Sequence, residues 1–342
     1  MFDKNYVYET AERLFTIDSP SGFTAQAMAE VAKIATEIGY ELQYTNKGNG
    51  YIFVAGQNTA ETVGLSAHID TLGLMVRSIT AEGMLKVTNI GGPLVPTLDG
   101  EYCKVYTREG KVYTGTILSE HPAIHVYPEA KTASRDIDHM LVRLDKQVHN
   151  KADVEALGIM SGDFVCYDAK LSITEDDFIK SRFIDDKISV VILLSLLRHF
   201  KINNMKPNKN LVCLFSTYEE VGHGMAALPM AIDELLSVDM GCIGLDLNCT
   251  EYDVSICAKD SSGPYDYAIT SKFIALAKRD KLNYAVDIYP YYGSDTSAAL
   301  SAGNDIRGGL IGPGVHASHG MERTHYKAVD ATLQLLAAYL AE

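Results

Sequence analysis

Histidines and carboxylates recur along this chain in an order that suits hydrolysis with divalent metal ions. His68 and Asp70 close an apolar run, in the stretch Ala67-His68-Ile69-Asp70. Residues two apart on a strand share a face, so His68 can ligate a metal through one ring nitrogen while Asp70 orients the ring. Asp185 and Asp186 precede a long apolar helix. One of them can serve as the helix cap; the other is left free, and its two oxygens can bridge two ions. Glu219 and Glu220 end another apolar strand in Phe215-Ser216-Thr217-Tyr218-Glu219-Glu220. Burying both unpaired would be costly. One as ligand and one as general base removes that cost, because cations stabilise both anions. A glycosidase also uses two carboxyls, but about 5–9 Å apart across a sugar, and adjacent strand residues point to opposite faces. Asp246 lies in Gly244-Leu245-Asp246-Leu247, an apolar stretch where a charge asks for a partner. The late segment from Val315 holds His316, His319 and His325, three of the ten histidines, and need supply only one ligand.

Imidazole and carboxylate donors suit zinc, cobalt or manganese rather than calcium. Neither a phosphate-binding GxxxxGK nor a GxSxG nucleophile elbow occurs in the sequence, which argues against phosphoryl transfer and serine hydrolysis.

The elements that must hold these residues follow from periodicity. Residues 6–15 carry apolar side chains at helical spacing, and the turn Ser19-Pro20-Ser21-Gly22 stops them. A second helix is expected over 24–38, ahead of Gly39. Strands are expected over 50–54 and 62–69, the latter nearly all apolar, as suits a sheet covered on both faces. From Leu72 to about Lys170 short strand-like stretches (85–87, 102–106, 112–118, 141–144 and 164–167) alternate with turn signals. Arg108-Glu109-Gly110-Lys111 reads as a hairpin. Helical periodicity there is confined to 151–157. After Phe183 helices and strands alternate again. Helices are expected over 186–200, 226–236, 265–278 and 328–340, with a short one from Thr296. Strands are expected over 210–216, 242–247, 254–258, 284–288 and 306–311. This predicts an α/β domain built from both ends of the chain, with a mostly β domain inserted.

Charge narrows the partners. Lys plus Arg number 30 against 44 Asp plus Glu, a formal net charge of −14 over 342 residues. Such acidity disfavours phosphate backbones and anionic membranes, so no nucleic acid and no membrane is expected as a partner. A hydrophobic content of 47% supplies a large core or two domains. The longest apolar run, 188–197, covers about half a bilayer. The start, MFDKNYVYETAERLF, lacks the basic-then-apolar order of a secretory leader. The cysteines show no CxxC pairing, so reduced core thiols in a cytoplasmic protein are expected.

The order H-x-D, D-D, E-E-V-G, an Asp in an apolar strand and a late His resembles the glutamyl and tetrahedral aminopeptidases of metallopeptidase family forty-two. The likeness runs nearly end to end, from Ser19-Pro20-Ser21-Gly22 to the final helix, and includes Gly91-Gly92 and the 105–118 hairpin. It implies an α/β fold with a mixed sheet flanked by helices and an inserted small β-barrel-like domain. The catalytic domain would span 1–71 and 171–342, and the insertion, 72–170, would drive dimerisation. The resemblance also implies two divalent metal ions per subunit (zinc, cobalt or manganese). His68 would ligate one ion, with Asp70 as its support, and Asp185 would bridge both. Glu219 would be the general base and Glu220 a ligand of the second ion. Asp246 would complete the first set and His319 the second, with His325 as the alternative. The implied activity is release of N-terminal residues from short peptides by a homo-oligomer of dimers, up to a tetrahedral dodecamer. Two other readings suit the same residues: a related di-metal deacylase or carboxypeptidase, and a non-catalytic metal-dependent scaffold.

Overall fold

The computed structural model describes residues 2–342. The chain divides into two compact units, Met1–Thr71 with Lys170–Glu342, and Leu72–Ala169.

The centre of the first unit is four parallel strands, in the order Lys209–Ser216, Asn58–His68, Glu234–Val238 and Arg307–Val315. Beyond Lys209–Ser216 the antiparallel strands Gly50–Val54 and Gln43–Tyr44 continue the sheet. Beyond Arg307–Val315 come Val254–Lys259, antiparallel to it, and Tyr284–Ile288. Strand periodicity explains why both faces are dry. Leu211, Cys213 and Phe215 join the core shared with the long helices, while Val212 and Leu214 pack on the other side with Met225, Ile232 and Ala299. The helix Ile184–Ile202 is buried almost all round over its first fourteen residues, 184–197, which is why its sequence is a solid apolar run rather than an amphipathic one. Its opening is irregular, with non-helical backbone angles at Asp185 and Asp186.

A small antiparallel sheet of Ser172–Ile173, Phe178–Ser181 and Glu322–His325 ties the approach to Asp185 to the segment after His319. No helix among the described residues is long and apolar enough to cross a membrane.

One stretch departs from the periodicity reading. Where a helix was expected over 226–236, the chain forms a loop and then the strand Glu234–Val238, hydrogen-bonded between Asn58–His68 and Arg307–Val315. A short apolar run buried on every side has no period that separates helix from strand, and Pro229 would break the interior of such a helix. The strand expected over 242–247 shrinks accordingly to Gly241–Cys242.

In the second unit six strands close a barrel: Gly73–Ile79, Leu85–Ile90, Met140–Leu144, Val112–Ser119, Tyr102–Tyr106 and Phe164–Tyr167. Leu74, Val76, Leu85, Val87, Val105, Ile117, Val142 and Val165 fill it, the inward half of a period-two pattern. Gly110, at φ +79°, supplies the left-handed residue of the turn joining Tyr102–Tyr106 to Val112–Ser119.

Candidate metal centre

The carboxyl ends of the four parallel strands converge on one site, the position where open α/β sheets bind ligands. His68 ends the Asn58–His68 strand and is buried. Its Nδ1 lies 2.9 Å from the backbone carbonyl of Asp70, which makes that nitrogen the N–H donor. Nε2 then points at Asp185 Oδ1, 3.0 Å away, and at Glu219 Oε2, 3.6 Å away. The ring is thus oriented by the main chain of Asp70; its carboxylate stands 3.6 Å from the ring. That carboxylate accepts bonds from Ser21 Oγ (2.5 Å), Glu219 N (3.2 Å) and Glu220 N (3.3 Å). Beyond Ser216 the chain leaves the strand and enters a 3-10 turn, Glu219–Val221. Adjacent strand residues would diverge, whereas this turn, pinned by Asp70, sends both glutamates into the site.

Asp185 occupies the middle. Its Oδ2 is 3.4 Å from His319 Nε2, so its two oxygens face the two histidines, and His319 Nε2 is 3.8 Å from Glu220 Oε2. Glu322, also buried, accepts the backbone N–H groups of Asp185 (3.0 Å) and His319 (2.9 Å), holding the two sides together. Asp186 Oδ2 accepts the His68 N–H at 3.2 Å. The fourth strand end contributes Asp239, directly after Val238. Gly312 lets the neighbouring strand approach it: a Cβ there would stand 1.8 Å from the Asp239 carbonyl oxygen.

The electrostatics are one-sided. Burial and the neighbouring acids push Glu219 and Glu220 well above the usual carboxylate range. Burial, with the charge of Asp185, pushes Asp239 up to about 7. Burial likewise pushes Glu322 up to about 8, helped by the charge of Asp185. Asp185 goes the other way; despite its burial, the bonds to His319 and His68 hold it far below the usual range. Burial disfavours a charged His68, yet Asp185 and the surrounding acids raise it well above an ordinary histidine. Glu220 Oε1 and Asp186 Oδ1 are buried with no hydrogen-bond donor. Three overlapping triads bring donor atoms within 4.8 Å of one another: His68, Asp185, Glu220; His68, Glu219, Asp239; and Asp185, Asp186, Asp239. Orphaned oxygens, crowded acids and an imidazole fixed by its far nitrogen all fit divalent cations.

Asp185, Glu219, Glu220, Asp239 and His319 line a cavity of about 380 Å³ that also reaches Tyr292. Residues 48–335 match the family model described as M42 glutamyl aminopeptidase. The chain belongs to that family. It is 43% identical to the "Putative aminopeptidase YhfE" of Bacillus subtilis, over 97% of this chain and 96% of that one. Two solved structures share its fold. A TET aminopeptidase from a marine sediment archaeon of the Thaumarchaeota has a TM-score of 0.88 at 18% identity, covering 98% of this chain and 97% of that one. The TET1 peptidase of Pyrococcus horikoshii, described as assembling into a tetrahedron or an octahedral shell, has a TM-score of 0.85 at 19% identity, covering 98% and 99%. As an M42 protein the chain is a peptide hydrolase of a metal-dependent family, with an α/β mixed sheet and a small closed barrel.

Within this M42 site the structure brings together His68, Asp70, Asp185, Glu219, Glu220 and His319, but not Asp246. Asp246 is exposed, at φ +63° in the turn after Gly241–Cys242, where no strand exists to aim it inward. Asp239 stands where that ligand was expected. The signal that would have found it is the one that found the glutamates: an apolar run, Leu235-Leu236-Ser237-Val238, ending in an acid. His325 is no ligand in this geometry. Its Nδ1 accepts the Lys327 N–H at 3.0 Å and caps the helix Tyr326–Leu340, and its ring packs on Phe178 and Tyr252. Sequence reasoning also missed Ser21, which steadies Asp70, and the part Asp186 plays in accepting the His68 N–H.

Proposed function

We propose that this M42 protein is an aminopeptidase that releases N-terminal residues from short peptides with two divalent metal ions. The observation carrying the proposal is the convergence of four carboxylates and His319 on one cavity, with the buried His68 directly behind them and Asp185 facing both histidines. His68, Asp185 and Asp239 would hold one ion, and Asp185, Glu220 and His319 the other. This donor set suits zinc, cobalt or manganese. When bound, the ions supply a water of lowered pKa and a polarised substrate carbonyl. Glu219 takes the proton from the attacking water. As the C–N bond breaks, Glu219 delivers that proton to the departing amine. Asp70 acts from behind, holding the main chain of Glu219 and Glu220 so that both carboxylates keep their places.

The proposal extends to assembly and setting. Dimers formed through 72–169, and larger particles built from them, are supported by exposed apolar side chains on that unit, such as Tyr102 and Val126, and by the TET relatives' described assemblies. A cytoplasmic setting is supported by buried thiols such as Cys213. The test is a panel of aminoacyl arylamides and short peptides with zinc, cobalt and manganese, with an EDTA control and metal analysis. Hydrolysis lost to EDTA and restored by metal, at two ions per chain, is expected. Cleavage confined to N-blocked peptides would overturn the aminopeptidase assignment, and a monomer in light scattering would overturn the assembly.

A further inference from the structure

The cavity beside the acids has a second wall that the metal proposal does not use. Ser262, Ser297 and Ser301 line it, and the same three serines line an adjoining cavity of about 260 Å³ bounded by Asp260 and Tyr265. The space therefore continues away from the acid cluster past these serines, of which Ser262 and Ser301 are exposed, into a half-open pocket of side-chain size. No lysine or arginine among the described residues lines either cavity. The ionisable groups bounding the chamber are Asp260 and Tyr265. Asp260 is buried, and its carboxylate accepts bonds from Ser262 N (2.7 Å), Gly263 N (3.2 Å) and Tyr265 Oη (2.8 Å). Tyr265 is turned inward, bonded also to Ser294 Oγ at 2.7 Å. Ser297 spends its hydroxyl proton on the Ser294 carbonyl, 2.9 Å away, inside the capping box of the helix Asp295–Ser301.

A carboxylate entering this pocket would find a fixed anion, Asp260, and no lysine or arginine in the lining; the nearby Lys259 ammonium is already bonded to the Asp260 carbonyl at 2.8 Å, so the incoming charge is left without a partner. A neutral polar side chain would meet hydroxyls, and a basic one would meet Asp260. From this wall we infer that the enzyme takes peptides with a neutral or basic N-terminal residue and rejects N-terminal glutamate and aspartate, although its family is described by glutamyl cleavage. The inference rests on the aminopeptidase proposal, which fixes the N-terminal residue beside the metal centre.

The experiment compares Glu, Asp, Leu, Ser, Lys and Arg arylamides on the metal-loaded full chain. Expected is a kcat/KM for Glu and Asp at least about 100-fold below the best neutral or basic substrate; Glu or Asp within about tenfold of it overturns the inference. Ser301→Lys, at an exposed helix end, should raise the Glu-to-Lys ratio of kcat/KM by about tenfold or more. Asp260→Asn should move the ratio the same way, and ratios unmoved in both variants overturn the assignment of this chamber. Calorimetry of lysine amide and glutamate α-amide on metal-loaded Glu219→Gln protein reads the chamber without turnover. If the unsubstituted, metal-loaded chain is inactive on every substrate while the Glu219→Gln protein still prefers lysine amide, the aminopeptidase proposal fails alone. Equal binding of the two amides would overturn this one.

Discussion

The two units of the chain handle charge in opposite ways. The barrel of 72–169 is filled by aliphatic side chains, and its ion pairs, such as Arg77–Asp138 and Lys111–Glu109, lie at the surface, where they contribute little. Its buried Asp163 accepts the Met160 N–H at 2.9 Å. At the carboxyl end of the first unit's sheet, Asp70, Asp185, Asp186, Asp239, Asp295 and Glu322 are all buried, with Glu219 and Glu220 beside them. The barrel interior is filled by apolar burial with one buried acid, whereas the candidate metal centre gathers eight carboxyl groups whose negative charge its own residues leave unbalanced. Function sits where that balance is incomplete, and each prediction below presses on the contrast.

The largest effect is expected from Glu219→Gln. The amide keeps the size and the Asp70-anchored backbone but cannot take a proton. Turnover should fall by about 10³-fold with metal content unchanged; full activity in this variant would remove Glu219 from the chemistry. Next comes a pair of variants. Asp239→Asn removes a buried anion from the donor cluster and should lower activity by about a hundredfold or more, with weaker metal binding in a chelator competition. Asp246→Asn alters an exposed turn and should leave metal content and kcat/KM within about twofold. The reverse ranking would return Asp246 to the site and break the geometric assignment.

That pair also shows how much was legible before the structure. His68, Glu219 and Glu220 were found because each lies at a break in a long apolar pattern, and such breaks survive errors of a few residues; the choice of Asp185 and His319 among their neighbours came from the family resemblance. Asp239 was missed because its strand has five residues, all buried, and takes its strand identity from neighbours distant in sequence: Leu235 pairs with Gly64 on one side and Gly308 on the other. No local period encodes that pairing. Misassigning the strand as helix moved the expected acid seven residues on. Five of the six barrel strands were legible because each is a short strand-like stretch between turn signals, whereas Gly73–Ile79 was not picked out. The closure of the barrel, where Leu74 meets Val165 across 91 residues, is again a long-range fact. Glu322 shows a third limit, since its task of joining two backbone N–H groups leaves no pattern in its own neighbourhood.

Metal removal should separate the two units by pH. An acid whose folded pKa is raised binds its proton more tightly in the folded state. The contribution of these acids to the stability of the metal-free fold is therefore fully present below the unfolded value of about 4 and is lost as pH rises through the folded values. Those values are about 7 for Asp239 and about 8 for Glu322. Asp185, held low, changes stability only below about pH 4. The Tm of EDTA-treated protein should thus fall between pH 5 and pH 8 by about 5 °C or more, and zinc should raise it more at pH 8 than at pH 5. A metal-free Tm that climbs over this range would contradict the crowded-acid account. A substitution in the barrel, Val142→Ala, should cost about 2 kcal/mol through a cavity. Its cost should be the same with and without metal, because Val142 lies buried in the barrel unit, opposite Leu85 and Ile117, and not among the acids of the first unit.

The finest test asks whether the division runs through a single loop. His319 and His325 lie six residues apart, yet one faces Asp185 and the other caps a helix between two aromatic rings. His325→Ala removes the acceptor for the Lys327 N–H and should cost about 1 kcal/mol. For a chain of this size that is a fall of about 2 °C in Tm. Bound metal should be unchanged, because Glu322, and not His325, holds the His319 backbone in place. Loss of an ion in this variant, at a temperature where the fold is intact by circular dichroism, would show that the cap and the metal site are one unit.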